Sequence, residues 1–226
     1  MAGRETLDRE LRQLQDEMLM LASMVDQAIG SSMEALRHLD AVGAQRIIHA
    51  DREINAKRYA IEEMVVTTIA TQQPMARDLR AILAILHIAV ELERIGDYAA
   101  GIARIVLMHG EQELLKPLID VPRMAELART MLRCSLDAFV ERDAQLARQV
   151  ATHDDAVDAL YDQVYRELLT YMLQDPHTID RATWLLWVAH NLERIADRVT
   201  NVCERVVFLV TGELEEIGVA SYSDGK

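Results

Sequence analysis

Glycine, proline and aromatic residues are scarce in this sequence. Its 226 residues include nine glycines, four prolines and 4% aromatic side chains. Strands are enriched in aromatic and β-branched residues, whereas alanine, leucine, glutamate and arginine, which are plentiful here, favour helices. We therefore predict an all-α fold.

Long apolar runs, excess positive charge and an export signal are also missing. The longest apolar run, 81–90, is shorter than the roughly 18 residues that a membrane span needs. The net charge of −13 disfavours binding to nucleic acid. Segment 1–12 lacks the apolar core of a secretory signal, and we interpret Cys134 and Cys203 as reduced structural thiols. These features predict a soluble, cytoplasmic protein.

The prolines separate long segments with helical periodicity. The pattern predicts six helices, at about 5–39, 41–72, 75–109, 121–141, 144–174 and 178–211. Because long helices joined by short turns pack as antiparallel bundles, we expect two bundles of three helices.

An internal repeat supports this division. Asp40-Ala41 recurs 103 residues later as Asp143-Ala144, and Asp51 recurs at the same offset as Asp154. The sequence Leu-Glu-Arg-Ile-Gly-Asp at 92–97 recurs as Leu-Glu-Arg-Ile-Ala-Asp at 192–197. Two matches in the same order indicate a duplicated three-helix unit. We place the first repeat at 1–112 and the second, which includes a short C-terminal tail, at 113–226.

Acidic and amide side chains lie at matching places in both repeats. The candidate metal ligands are Asp51, Asn55, Glu93 and Asp97 in the first repeat, and Asp154, Asp158, Glu193, Asp197 and Asn201 in the second. Carboxylates four residues apart share a helix face and repel each other, so each pair needs a compensating cation. A metal ion or an arginine would supply that charge. Oxygen donors suit Mg, Mn, Ca, Fe or Zn, and a solvated or salt-bridged surface is the alternative interpretation.

A carboxylate-rich bundle for metal storage or redox chemistry is the alternative function. The di-iron form of such a bundle needs Glu-x-x-His on two helices, but no acidic residue stands three positions before any of the seven histidines. We therefore interpret His87 and His190 as ordinary helix residues. The sequence also lacks glycine-rich phosphate loops and a nucleophile elbow, so we do not expect an enzyme.

The repeated motif resembles the PhoU family. Besides 92–97 and 192–197, the resemblance includes Pro74-Met75-Ala76-Arg77-Asp78-Leu79-Arg80 and Leu169-Thr170-Tyr171-Met172 before Pro176, and it covers about residues 5–212. It implies a cytoplasmic, non-enzymatic negative regulator of phosphate uptake and of the phosphate-starvation response. The implied partners are the ATPase subunit of the phosphate ABC transporter and a sensor histidine kinase, between which the protein is an adaptor. We also expect a homodimer.

The resemblance further implies metal clusters, of iron or zinc in some members, on the acidic motifs. The nine candidate ligands carry over to these motifs. Gly101 stands where the second motif has Asn201, so the first site is expected to have one donor fewer.

Overall fold

A computed structural model describes residues 2–110 and 112–217, and the all-α prediction is confirmed. The helices are α1 (Ala2–His38), α2 (Ala41–Gln72), α3 (Ala76–His109), α4 (Asp120–Glu141), α5 (Ala144–Ala151), α6 (Asp154–Gln174) and α7 (Ile179–Thr211), with a 3-10 turn at Pro176–Thr178. None of these helices is long and apolar enough to cross a membrane. Residues 218–226, the end of the predicted tail, lie outside the described residues.

The helices form two bundles that pack on each other. Helices α1, α2 and α3 pack together, as do α4 to α7, and the largest contact in the molecule joins α3 to α7. The core is aliphatic. It includes Leu92 and Ile95 of α3 and Val199 of α7, all fully buried, and each such side chain contributes about 2 kcal/mol.

The turn between the first two helices of each bundle is built twice in the same way. Asp40 accepts a hydrogen bond from the backbone N–H of Gly43, and Asp143 accepts from the N–H groups of Gln145 and Leu146. These are helix N-caps, which satisfy backbone donors that the first turn leaves free. The preceding residues, Leu39 and Arg142, both have positive φ. The repeated Asp-Ala of the sequence is therefore the start of a helix.

The prediction of one helix over 144–174 is wrong. The chain leaves the helix at Thr152 and His153, where the Thr152 hydroxyl donates to the carbonyl of Gln149 over 2.8 Å. Threonine and histidine form helices less readily than alanine, and such a hydroxyl competes for backbone partners. The break makes Asp154 the first residue of α6, whereas its counterpart Asp51 lies inside the unbroken α2.

Helices α3 and α7 run antiparallel across the seam between the bundles. Glu91 of α3 contacts Arg198 and Asn201 of α7, whereas Gly101, further along α3, contacts Asn191. Residue 91 is equivalent to 191 in the repeat, and 101 to 201. Each contact therefore joins position 91 or 191 of one repeat to position 201 or 101 of the other. A pseudo-twofold axis between α3 and α7 relates the two contacts.

Candidate functional site

The first acidic cluster lies between α2 and α3. Asp51 of α2 lies within electrostatic range of Asp97 of α3, and Glu93 within range of both. Gly96 permits this approach: a Cβ there would lie 3.1 Å from Ile54 and 3.8 Å from Asp51 Oδ1. The structure thus brings together three predicted carboxylates from two helices.

Burial and repulsion disfavour the charged forms of Asp51 and Glu93 in this first cluster. Burial raises the pKa of Asp51, and the charge of Asp97 raises it further. The pKa of Glu93 is raised by the same two causes in the same order. Asp51 Oδ1 is buried and accepts no hydrogen bond from the described residues. The Asn55 amide, the fourth predicted donor, instead donates to the backbone carbonyl of Asp51 over 3.1 Å.

An arginine of the protein itself partly neutralises the first cluster. The guanidinium of Arg58 donates to Glu62 and places its Nε 3.8 Å from Glu93 Oε1. Arg104 also lies close enough to lower the pKa of Asp51. Arg58 and Arg104 therefore supply part of the positive charge that we predicted would compensate the acidic residues of the first cluster.

The second acidic cluster lies between α6 and α7 and contains one more carboxylate than the first. It contains Asp154 and Asp158 of α6 and Glu193 and Asp197 of α7. Burial, and then the charges of the other three carboxylates, raise the pKa of Asp154 to about 7. Burial also raises the pKa of Asp158 and of Asp197. Asp154 Oδ1 is buried without a hydrogen-bond partner in the described part of the chain.

Arg194 and His190 border the second cluster. Arg194 Nε donates to Glu193 over 2.9 Å, and its guanidinium also pairs with Asp197. His190 Nδ1 lies 3.4 Å from the same glutamate, although the sequence had indicated an ordinary helix residue. The order His-x-x-Glu in 190–193 was the signal that could have placed this histidine at the cluster.

One substitution between the repeats distinguishes the two clusters. Arg58 is replaced, 103 residues later, by Tyr161, whose raised pKa is due first to burial and then to Glu193. The first cluster thus combines three carboxylates with Arg58, whereas the second has four carboxylates and no arginine at that position. The aligned repeats contained this difference, but a search for acidic residues alone misses it.

Asn201 belongs to the seam. Its amide donates to Glu91 Oε2 over 3.2 Å, and Arg198 reaches the same oxygen at 3.4 Å. At the equivalent position of the first repeat, a Cβ on Gly101 would lie only 2.8 Å from Asn191 Oδ1. The glycine is therefore explained by the packing of α3 against α7.

The donor chemistry of the clusters fits an oxygen-preferring cation, but the side chains are not arranged around one point. Within residues 2–110 and 112–217, no three Asp, Glu, His or Cys side chains are placed to hold one ion together. In the clusters, one buried oxygen of Asp51 and one of Asp154 nevertheless lack a hydrogen-bond partner among the described residues. A cation could be held after Glu193 and Asp197 turn away from Arg194, to which both are bound.

Comparison with known proteins gives one consistent family. A family model described as the PhoU domain matches residues 7–106 and again residues 121–206, once in each repeat. A phosphate-specific transport system accessory protein PhoU homolog of Clostridium acetobutylicum is 38% identical over 93% of this chain and 96% of its own. The corresponding homolog of Pseudomonas aeruginosa is 35% identical over 95% of this chain and 90% of its own.

Solved structures agree in fold. The crystal structure of the phosphate transport system regulatory protein PhoU from Streptococcus pneumoniae superposes with a TM-score of 0.87 and 34% identity, covering 93% of this chain and all of that one. The crystal structure of PhoU from Pseudomonas aeruginosa gives a TM-score of 0.87 at 35% identity, over 91% of this chain and 99% of that one.

Proposed function

Because the chain belongs to the PhoU family, we propose that it is an accessory and regulatory protein of a phosphate transport system. The relatives carry that role in their names and align over almost their whole length. The protein acts by binding other proteins and catalyses no reaction. Its partners include components of the transport machinery.

In finer detail, the protein is a cytoplasmic adaptor between the ATPase subunit of the phosphate transporter and a sensor histidine kinase. It represses phosphate uptake and the starvation response when phosphate is abundant, and it works as a homodimer. An adaptor transmits a signal only if it binds the states of its partner with different affinities.

The observation that carries this proposal is the link between the two acidic clusters across the seam. Arg94 of α3, whose charge opposes the rise in the pKa of Glu93, donates to Glu91 Oε1 over 2.9 Å. Glu91 also pairs with Arg198 of α7, whose charge opposes the rise in the pKa of Asp197. A change in the charge or position of one cluster therefore reaches the helix that carries the other. This gives the molecule a route by which one partner alters the binding of a second.

Binding assays with the purified chain, the transporter ATPase subunit and the kinase test the adaptor. We expect both partners to bind, and the kinase to change the affinity for the ATPase subunit. Glu91→Gln, which removes the charge at the seam, should reduce that change, whereas the exposed Glu63→Gln on α2 should not. Absence of binding to either partner under phosphate-rich conditions would contradict the proposal.

The acidic clusters also supply the residues for metal ions, which we propose as ligands of this protein. Iron, zinc or another divalent ion would be held by the carboxylates of each cluster, and would neutralise charges that are held together at an electrostatic cost. We expect the second cluster to bind more tightly, because it has one more carboxylate and has Tyr161 in place of Arg58.

Elemental analysis of the purified protein tests the metal proposal directly. Asp197→Ala should lower the bound metal most, and Asp97→Ala should lower it less. Asp155→Ala is the matched control, because this aspartate is exposed on the first turn of α6. If the wild type and the three variants contain equal amounts of metal, the clusters are solvated or salt-bridged surface charge and the metal proposal is wrong.

A further inference from the structure

The first helix is longer than its counterpart in the second repeat. With the repeat offset of 103 residues, the start of α4 at Asp120 corresponds to residue 17 of α1. Residues 2–16 therefore form a helical extension without an equivalent. This extension lies beside the start of α3 and the ends of α4 and α7, where it closes one side of a recess of about 370 Å³.

Arginines from three helices line this recess. The charged lining consists of Arg4, Asp8 and Arg12 of α1, Arg77 and Asp78 of α3, and Arg142 at the end of α4. Four arginines and two aspartates give the lining a formal charge of +2, in a chain whose net charge is −13. The recess is thus a positively charged region on a protein whose net charge is negative.

Most of this positive charge has no acidic partner in the part of the chain that the structure describes. Arg4 pairs with Asp8 over 3.0 Å and with Asp78. The other three arginines form no ion pair or side-chain hydrogen bond among residues 2–110 and 112–217. Their guanidinium groups are exposed and available to a ligand.

We propose that this recess binds a small multivalent oxyanion such as pyrophosphate or phosphate. A guanidinium donates paired hydrogen bonds that match the oxygens of a phosphoryl group, and several guanidiniums can share one tetrahedral anion. The volume lies within the range of small-molecule sites. An acidic polypeptide fits less well, because the four arginines line a single recess and do not follow an extended groove.

The recess is separate from the acidic clusters, so the proposal does not rest on the adaptor function. Arg77 and Glu93 are 16 residues apart on α3, which corresponds to about 24 Å along the helix. A ligand bound at one end of α3 therefore does not contact the clusters near its middle.

Titration calorimetry with pyrophosphate, at low salt, tests the site. The double variant Arg77→Gln/Arg142→Gln should weaken binding by about tenfold or more, since two charge-assisted contacts are lost. Arg9→Gln is the matched control, because Arg9 is an exposed arginine on the same extension but outside the recess. Asp8→Asn should tighten binding, which simple damage to the fold would not do.

Two further measurements keep the proposal falsifiable. Arg12→Gln, a single exposed change, should also weaken binding, and circular dichroism should show unchanged helix content in every variant. Titrations with phosphate, sulfate and ATP identify which oxyanion the recess prefers. The proposal is overturned if the wild-type chain does not bind pyrophosphate, if Arg9→Gln weakens binding as much as the double variant, or if a polyglutamate peptide binds equally well through the same arginines.

Discussion

Asp154 should make the metal-free protein less stable as the pH rises. Its pKa is about 7 in the folded chain, against a value of 3.8 for the free side chain. Between these two values the folded state binds the proton and the unfolded state does not. The stabilising contribution is therefore complete below pH 3.8 and is lost as the pH rises through about 7.

The size of this effect follows from the pKa difference. Three pKa units correspond to an upper limit of about 4 kcal/mol, and the partial exposure of the group reduces this to about 2 kcal/mol. Asp154→Asn keeps the shape of the side chain and removes the charge. At about pH 8 the variant should therefore be about 2 kcal/mol more stable than the wild type, less a few tenths for the lost interaction with the helix dipole.

Urea denaturation of chelator-treated protein, followed by circular dichroism from about pH 5 to about pH 8, measures this difference. The wild type should lose stability over the range, whereas Asp154→Asn should show a flatter profile. Asp155→Asn removes an exposed charge that raises the pKa of Asp154 less than Asp158, Asp197 or Glu193 does, so this variant should keep most of the pH dependence of the wild type. The reasoning is refuted if the stability of Asp154→Asn falls with pH as steeply as that of the wild type, or if the variant is the less stable protein at the higher pH.

Three further predictions concern other parts of the fold. Arg58→Gln should destabilise the metal-free chain by about 1 kcal/mol, because Glu93 and its neighbours lose a positive counter-charge. Urea denaturation measures this change. An unchanged denaturation midpoint would contradict the role of Arg58 as a counter-charge. Arg129→Ala removes the paired hydrogen bonds to Asp26, each 2.8 Å, that join α4 to α1; we expect a loss of about 1–2 kcal/mol that the double variant with Asp26→Ala does not deepen. Cys203 is fully buried and burial raises the pKa of its thiol to about 12, so it should resist alkylation in the folded protein and react only as the chain unfolds.

The sequence predicted the helices well where local signals agreed with packing. Asp40 and Asp143 begin helices because their side chains cap free backbone donors, and such caps are visible in one dimension. The break at Thr152 and His153 was missed because apolar periodicity continues through it. Two residues with low helix propensity interrupt a helix only where tertiary packing does not stabilise the helical conformation.

The candidate site could be predicted only in part. Spacing along α3 and α7 correctly placed Glu93 beside Asp97, because residues four apart share a face. Spacing could not show that Asn201 turns toward Glu91 on another helix, since that depends on how α3 crosses α7. The aligned repeats show Arg58 in one and Tyr161 in the other. Only the structure shows that Arg58 lies close enough to Glu93 to compensate its charge.

The interruption before Asp154 makes the helices that carry the acidic side chains differ between the duplicated units. In the first repeat Asp51 lies inside a continuous helix, whereas in the second Asp154 is the first residue of a helix that follows a two-residue turn. A helix that starts at a joint can pivot with little loss of backbone hydrogen bonding, but a continuous helix must bend or fray. We therefore expect motion that follows neutralisation of the carboxylates to begin at the start of α6, where the helix is already interrupted.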